Sequence, residues 1–112
     1  MDLTRERALE LHREMWSDMQ KSLGDNPPKH FRLFFKGNWC EEHFPDDKVL
    51  SDCFLCEYVR QISPMALRCY RCPIKWGNDD KKFNCQGYGD NVDYRYDSIS
   101  KILALPERKV EE

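Results

Sequence analysis

Two cysteine pairs are the residues of this chain whose spacing points most directly to chemistry. Cys53 and Cys56 are separated by two residues, and Cys69 and Cys72 repeat that spacing after a gap of twelve residues. Two residues between thiolates allow both sulfurs to face one ion about 2.3 Å away, and a second pair completes a tetrahedron. We therefore predict a four-thiolate structural Zn²⁺ site. Such a site has no open position for water, so it contributes to folding and not to catalysis.

Three further residues of ligand type leave an alternative open. Cys40 and His43 are also two residues apart, and Cys85 stands alone. One of them could replace a cysteine of the zinc set, or the three could form a second site with water as the fourth ligand. That geometry is typical of catalytic zinc, with Glu41 or Glu42 as general base. The simpler interpretation makes both cysteines buried thiols and His43 a surface side chain.

The charges of the chain are segregated, although its net charge is only −2. Residues 41–57 contain six acidic residues and one lysine, which gives −5, whereas residues 58–77 carry +4. The acidic stretch is a candidate surface for a basic partner protein, through Glu41, Glu42, Asp46 and Asp47. The basic stretch offers an alternative, contacts to nucleic acid, through Arg60, Arg68, Arg71 and Lys75. These arginines could equally offset the negative charge of a thiolate–zinc cluster.

The elements that position these residues begin with a helix predicted over 5–23. Thr4 is a suitable N-cap, Gly24 is a suitable stop, and apolar residues recur at helical spacing between them. His12 and Trp16 lie on the apolar side of this helix, which favours packing in the core over a catalytic role. The pattern is that of an amphipathic helix.

A second, shorter helix is predicted after Asn26 as N-cap and Pro27 at the first helical position, with Gly37 as its end. Its three phenylalanines at spacing i, i+3 and i+4 indicate one aromatic face. The tight connection predicts that the two helices are antiparallel. Residues 37–52 read as loop. Aromatic residues expected to be exposed and available to a partner are Trp39, Phe44, Tyr88, Tyr94 and Tyr96.

The rest of the chain is predicted to be short elements. A helix before Pro64 fits between the cysteine pairs. "VDYRY" at residues 92–96 alternates like a strand, which predicts one short strand or a hairpin. Asp97 or Ser98 caps a final helix that runs to about Leu105, because Pro106 cannot continue it.

These elements predict a mainly α fold with a small irregular or β part, in a single zinc-stabilised domain over 1–106. Within it we expect a helical pair at 5–36, a zinc module at 40–76 and a C-terminal part with a helix at 77–106. Residues 107–112 read as a disordered, charged tail.

Composition favours a cytoplasmic protein with neither a membrane nor a small molecule as its partner. The chain has 112 residues, of which 40% are hydrophobic and 34% charged. It lacks the run of roughly 18 apolar residues that spans a bilayer, and its first residues lack the apolar stretch of a secretory signal. In a reducing cytoplasm, paired cysteines bind metal more often than they form disulfides.

The segments "ALELHREMW", "CFLCEYV" and "CYRCPIKW" resemble a group of small uncharacterised proteins of phages and prophages of Gram-positive bacteria. The resemblance covers roughly residues 8–76 and rests on the four cysteines of the pairs together with Trp16 and Trp76. It implies a small, non-enzymatic phage accessory protein in the cytoplasm of a bacterial host. It further implies a protein-binding inhibitor or modulator of a host or defence protein, of the anti-CRISPR or another counter-defence type. The alternative is a nucleic-acid-binding regulator resembling a zinc finger.

Overall fold

The computed structural model of the chain is mainly helical. It describes residues 3–46, 54–62, 72–78, 85–87 and 89–108, without the side chain of Arg60. Four helices lie in these ranges: α1 (Arg5–Leu23), α2 (Lys29–His43), α3 (Phe54–Ile62) and α4 (Ile99–Leu103). No helix in the described ranges is both long and apolar enough to cross a membrane.

Helix α1 has the bounds that its sequence predicts, because both of its ends carry local signals. The Thr4 side chain accepts a hydrogen bond from the backbone N–H of Arg7, which satisfies one of the open donors of the first turn. Gly24 ends the helix at a positive φ of 84° and donates its N–H to the carbonyl of Gln20. The predicted N-cap and stop are both confirmed.

The core is built around α1, which contacts each of the other three helices. Because it has neighbours on several sides, α1 buries a wide face, consisting of Ala8, Leu9, Leu11, His12, Met15, Trp16 and Met19. The predicted core positions of His12 and Trp16 are confirmed. The His12 ring packs edge-on against Trp16 and Trp76, with centroids 6.4 and 6.1 Å away.

Helix α2 differs from its prediction at both ends. Pro28 is the N-cap in place of Asn26, and the helix continues through Gly37 to His43. A glycine inside a helix costs only roughly 0.5–1 kcal/mol relative to alanine. Burial of the Trp39 side chain beyond it is worth more than that, so the expected loop over residues 37–43 is wrong.

The two long helices are antiparallel, as their short connection predicts. The indole Nε1–H of Trp39 donates to Oδ2 of Asp18 at 2.9 Å. One turn further on, His43 of α2 lies beside Glu14 of α1. Later positions in α2 therefore contact earlier positions in α1, as they do in an antiparallel pair.

Buried Arg32 and half-buried Asp25 connect this hairpin to the C-terminal part of the chain. Arg32 is buried and donates Nε–H to the Pro27 carbonyl at 2.8 Å and Nη1–H to the Tyr94 carbonyl at 3.0 Å. Oδ1 of Asp25 accepts from the N–H and the hydroxyl of Ser100 at 2.8 and 2.7 Å. These bonds attach the start of α4 to the turn between α1 and α2.

The C-terminal part contains α4 and irregular chain. Of the two predicted caps, Ser98 is the N-cap of α4, because its hydroxyl accepts a hydrogen bond from the N–H of Lys101. The helix ends at Leu103, two residues earlier than predicted. Of the predicted strand or hairpin at 92–96, the described residues form one isolated antiparallel bridge between Asp93 and Gln86, after which the chain turns. The Asp93 carboxylate accepts from the N–H of Arg95 at 2.8 Å, which favours a turn over an extended strand.

The segment before residue 109 contacts the body of the protein, although the sequence suggests a tail from residue 107. Glu107 forms an isolated bridge with Ile74 and an ion pair with Arg13 at 3.1 Å. The N–H of Arg108 donates to the Pro73 carbonyl at 2.7 Å. The structured part therefore includes Glu107 and Arg108, and residues 109–112 lie outside the described ranges.

Candidate functional site

The predicted zinc ligands are described in part. Cys56 is half-buried in α3, and Cys72 is buried and contributes to the core beside Pro73. Cys53 and Cys69 lie outside the described residues. The structural zinc site at these four cysteines stays a prediction.

The alternative ligands Cys40, His43 and Cys85 are all described, and the structure does not bring the three together as a ligand set. Cys40 is half-buried in α2, where burial raises the pKa of its thiol, an effect that Lys36 opposes and Glu57 reinforces. A raised pKa disfavours the thiolate, so in the absence of a metal this sulfur is a poor nucleophile. Cys85 is half-buried and packs against the core.

His43 instead belongs to a different cluster, which joins α1 to α2. Glu14, Asp18 and His43 each place one ligand-type atom within 4.8 Å of the others. Glu14 and His43 are exposed and Asp18 is half-buried, so the cluster lies at the surface with one side against the protein. Among the described residues, this is the one group of three or more ligand-type side chains whose ligand atoms lie close together.

Trp39 contacts two members of this cluster, Asp18 and His43. Its indole N–H donates to Asp18, and its backbone carbonyl lies 2.9 Å from Nδ1 of His43. The His43 ring also stacks on the indole, with centroids 3.8 Å apart and planes inclined by 19°. Trp39 itself is buried, so Asp18 and His43 are bonded to a residue that is held in place by the core.

The predicted partner-binding acids lie at the C-terminal end of α2 and just beyond it. Glu41 and Glu42 are exposed in the last turns of the helix, and Asp46 is exposed in the following turn. Asp47 lies outside the described residues. The three described acids of this set are therefore exposed, whereas Glu57, near the other end of the acidic stretch, is buried.

The predicted nucleic-acid contacts are hardly represented in the described ranges. Lys75 is exposed, and its backbone N–H donates to the Pro106 carbonyl at 2.9 Å. Arg60 is in α3, but its side chain is not described, and Arg68 and Arg71 lie outside the described residues. This set of contacts stays a prediction.

The expected exposed aromatic residues are corrected in part. Trp39 is buried, because its indole packs against the rings of His43, Phe44 and Phe54, and this part of the prediction is wrong. Phe44 and Tyr94 are half-buried, and Tyr96 is exposed as predicted. Tyr88 lies outside the described residues.

The predicted aromatic face of α2 is divided between the core and the solvent. Phe35 packs against the core, whereas Phe31 and Phe34 are 51% and 72% exposed, and Leu33 between them is also exposed. Arg32 and Trp39, seven residues apart, are the buried residues of α2. We call Phe31, Leu33, Phe34, Glu41 and Glu42 the outer face of α2.

Glu14 and Asp18 have a sequence signal that our prediction did not use. They are four residues apart in a helix, so both carboxylates lie on the same side of it. The sequence offers no sign that His43 meets them, because that contact depends on α2 continuing past Gly37. The exposure of Phe34 likewise depends on which side of α2 faces α1.

No protein-family model matches the chain, and no match is found among curated proteins or solved structures.

Proposed function

We propose that the protein is a non-enzymatic protein-binding module that contacts its partner through the outer face of α2. The observation that carries this proposal is the 72% exposure of Phe34. Full burial of a phenylalanine side chain is worth roughly 1.5–3 kcal/mol. This side chain contributes little of that to folding, so its burial remains available to a partner.

The neighbours of Phe34 extend it into a patch. Phe31 precedes it by one turn on the same side of α2, and exposed Leu33 flanks it. Aromatic side chains that fill a partner's pocket are typical centres of binding energy in protein interfaces. The first half of the outer face therefore has the composition of an interface core.

The second half of the outer face carries the charge. Glu41 and Glu42 are exposed at the end of α2, where the helix dipole adds further negative potential. Asp46 lies just beyond them. A partner with an apolar pocket bordered by lysine or arginine complements both halves, and the charges would govern its rate of association more than its affinity.

The resemblance to phage proteins supports a bacterial host or defence protein as this partner. Occupation of a basic surface by the acidic end of α2 would block that surface for its normal ligand. We therefore propose an inhibitor or modulator of the counter-defence type, anti-CRISPR proteins included. The structural zinc at the cysteine pairs belongs to the same proposal as a folding element.

The apolar half is tested by comparing captured proteins from a bacterial lysate. The tagged chain and its Phe31→Ala/Phe34→Ala variant are used as baits, with Tyr96→Ala as the matched control. Tyr96 is also an exposed aromatic residue, 62% accessible, but it lies outside the outer face. We expect the double variant to lose the partner and the control to retain it. Equal retention by all three baits would contradict the proposal.

The acidic half is tested by charge reversal. Glu41→Lys/Glu42→Lys should slow association with the captured partner at low salt, and the difference should shrink as salt screens the charges. Glu10→Lys/Asp90→Lys changes the net charge by the same amount at exposed positions elsewhere, and it should have a smaller effect. Equal effects of the two variants would mean that net charge matters and this surface does not.

Nucleic-acid binding is the competing outcome. In a salt-titrated gel shift with generic DNA and RNA, a protein that binds through its basic stretch is retarded at low salt and released as salt rises. We expect no retardation. Retardation that Lys75→Ala weakens would favour the nucleic-acid alternative over the outer face of α2.

A further inference from the structure

We propose that Glu14, Asp18 and His43 bind one divalent metal ion of the first transition row, with Zn²⁺ as the practical probe. The site is separate from the four cysteines predicted to hold structural zinc, and it does not depend on the proposed partner binding. It contains one nitrogen and two oxygen ligands, contributed by two helices.

The distances are close to those of a metal site. The three ligand-type atoms lie within 4.8 Å of one another. Zinc bonds of about 2.0–2.2 Å at tetrahedral angles place ligand atoms about 3.4 Å apart. The ligand atoms therefore need to approach one another by up to about 1.4 Å, which rotation of the exposed Glu14 side chain can supply.

The His43 ring is arranged in the manner of a metal ligand. A carbonyl can only accept a hydrogen bond, so Nδ1 of His43 must carry the proton that it shares with the Trp39 carbonyl at 2.9 Å. In the neutral ring, Nε2 then has a lone pair available to a metal. A ligating histidine typically has its other ring nitrogen bound to a carbonyl or carboxylate in this way, which fixes its tautomer and orientation.

One of the two carboxylates is held in position, and neither is paired with a cationic side chain among the described residues. Trp39 donates its indole N–H to Oδ2 of Asp18 at 2.9 Å, which holds the carboxylate and leaves its second oxygen available. Among the described residues, neither Glu14 nor Asp18 forms an ion pair with lysine or arginine. Two ionised carboxylates carry two negative charges, which a divalent cation would balance.

The ligand types select the class of metal. Imidazole suits zinc and the neighbouring transition metals, whereas calcium and magnesium prefer oxygen alone. Three protein ligands leave at least one position for water. Binding would tie α1 to the last turn of α2, so the metal should raise the thermal stability of the folded chain by mass action.

Histidine-ring NMR provides the direct test, because the chain has only three histidines. Zinc is titrated into the full-length protein beyond the capacity of its thiols, and the ring nitrogens of His12, His30 and His43 are followed. We expect the Nε2 resonance of His43 to shift while exposed His30 does not. Zinc bound by thiolates alone would leave His43 unchanged, and that result would overturn the site.

Ligand variants then assign the carboxylates. Glu14→Gln and Asp18→Asn should each weaken zinc binding at His43 by about tenfold or more. Glu10→Gln, at an exposed carboxylate on the same helix, should leave it unchanged. Circular dichroism of the metal-free variants checks that they are folded. If zinc bound at His43 with unchanged affinity in both ligand variants, the two carboxylates would not be metal ligands, and the proposal would be contradicted.

Discussion

Helices α1 and α2 form one hairpin, but they contribute to the protein in different ways. Helix α1 contacts three other helices and buries seven residues, whereas α2 has two residues that are fully buried. The outer face of α2 carries apolar and acidic side chains that folding does not use. The comparison indicates that α1 supports the structure, whereas α2, the helix proposed to bind a partner, leaves most of its residues outside the core.

The largest expected difference between the helices is in their leucines. Leu11 of α1 is 1% exposed, and Leu33 of α2 is 43% exposed. Leu11→Ala should lower the free energy of unfolding by about 2–5 kcal/mol, because it leaves a cavity. Leu33→Ala should change it by less than about 0.5 kcal/mol. Urea unfolding of both variants measures the two values, and equal losses would remove the distinction between the helices.

The histidines provide the next comparison. His12 of α1 is buried among aromatic rings, and burial lowers its pKa to about 3, with further contributions from Arg13 and Lys36. The unfolded chain takes up this proton below pH 6.5 but the folded chain does not. Stability is therefore complete above pH 6.5 and falls as the pH decreases toward 3, by about 2 kcal/mol at pH 5.

Unfolding experiments at pH 7 and pH 5 test this effect. His12→Leu should remove most of the difference between the two pH values, since no imidazole remains to be protonated. His30→Gln, at an exposed histidine of α2, should retain it. If the loss of stability persisted in His12→Leu, groups other than this histidine would be responsible.

The smallest expected effect is a gain within α2. Gly37 lies inside the helix, and a Cβ added there meets no atom within 4 Å. Gly37→Ala should raise the free energy of unfolding by about 0.5–1 kcal/mol, because alanine loses less chain entropy on folding.

Gly77 is the opposite control for the alanine substitution. A Cβ there would lie 2.0 Å from Oδ1 of buried Asn91, so Gly77→Ala should lower stability in the same urea experiment. If Gly37→Ala instead lowered the free energy of unfolding, residue 37 would not have regular helical backbone geometry.

Prediction from the sequence succeeded where the signals are local. Thr4, Gly24 and Ser98 act on backbone groups within four residues of themselves, and each cap is where the sequence places it. It failed at Gly37, where the local preference for an end is smaller than the gain from packing Trp39 behind it. At "VDYRY" the alternating pattern yields only one isolated bridge among the described residues, because the Asp93 side chain and its bonds to Arg95 favour a turn.

The candidate sites divide in the same way. The acidic residues at the end of α2 are visible as a charged stretch, and the structure shows those it describes to be exposed. The cluster of Glu14, Asp18 and His43 is not visible, since its members come from two helices. Sequence spacing pairs His43 with Cys40, but packing of α2 on α1 places it beside Glu14 and Asp18.

The sequence by itself determined a mainly helical chain, the bounds of α1 and the caps that set them, because short-range hydrogen bonds decide these features. Only the tertiary structure decided how far α2 extends and which of its sides faces the solvent. Burial of Trp39 and Arg32 fixes the rotation of α2 about its axis. That rotation leaves Phe34 exposed and brings His43 to the carboxylates of α1.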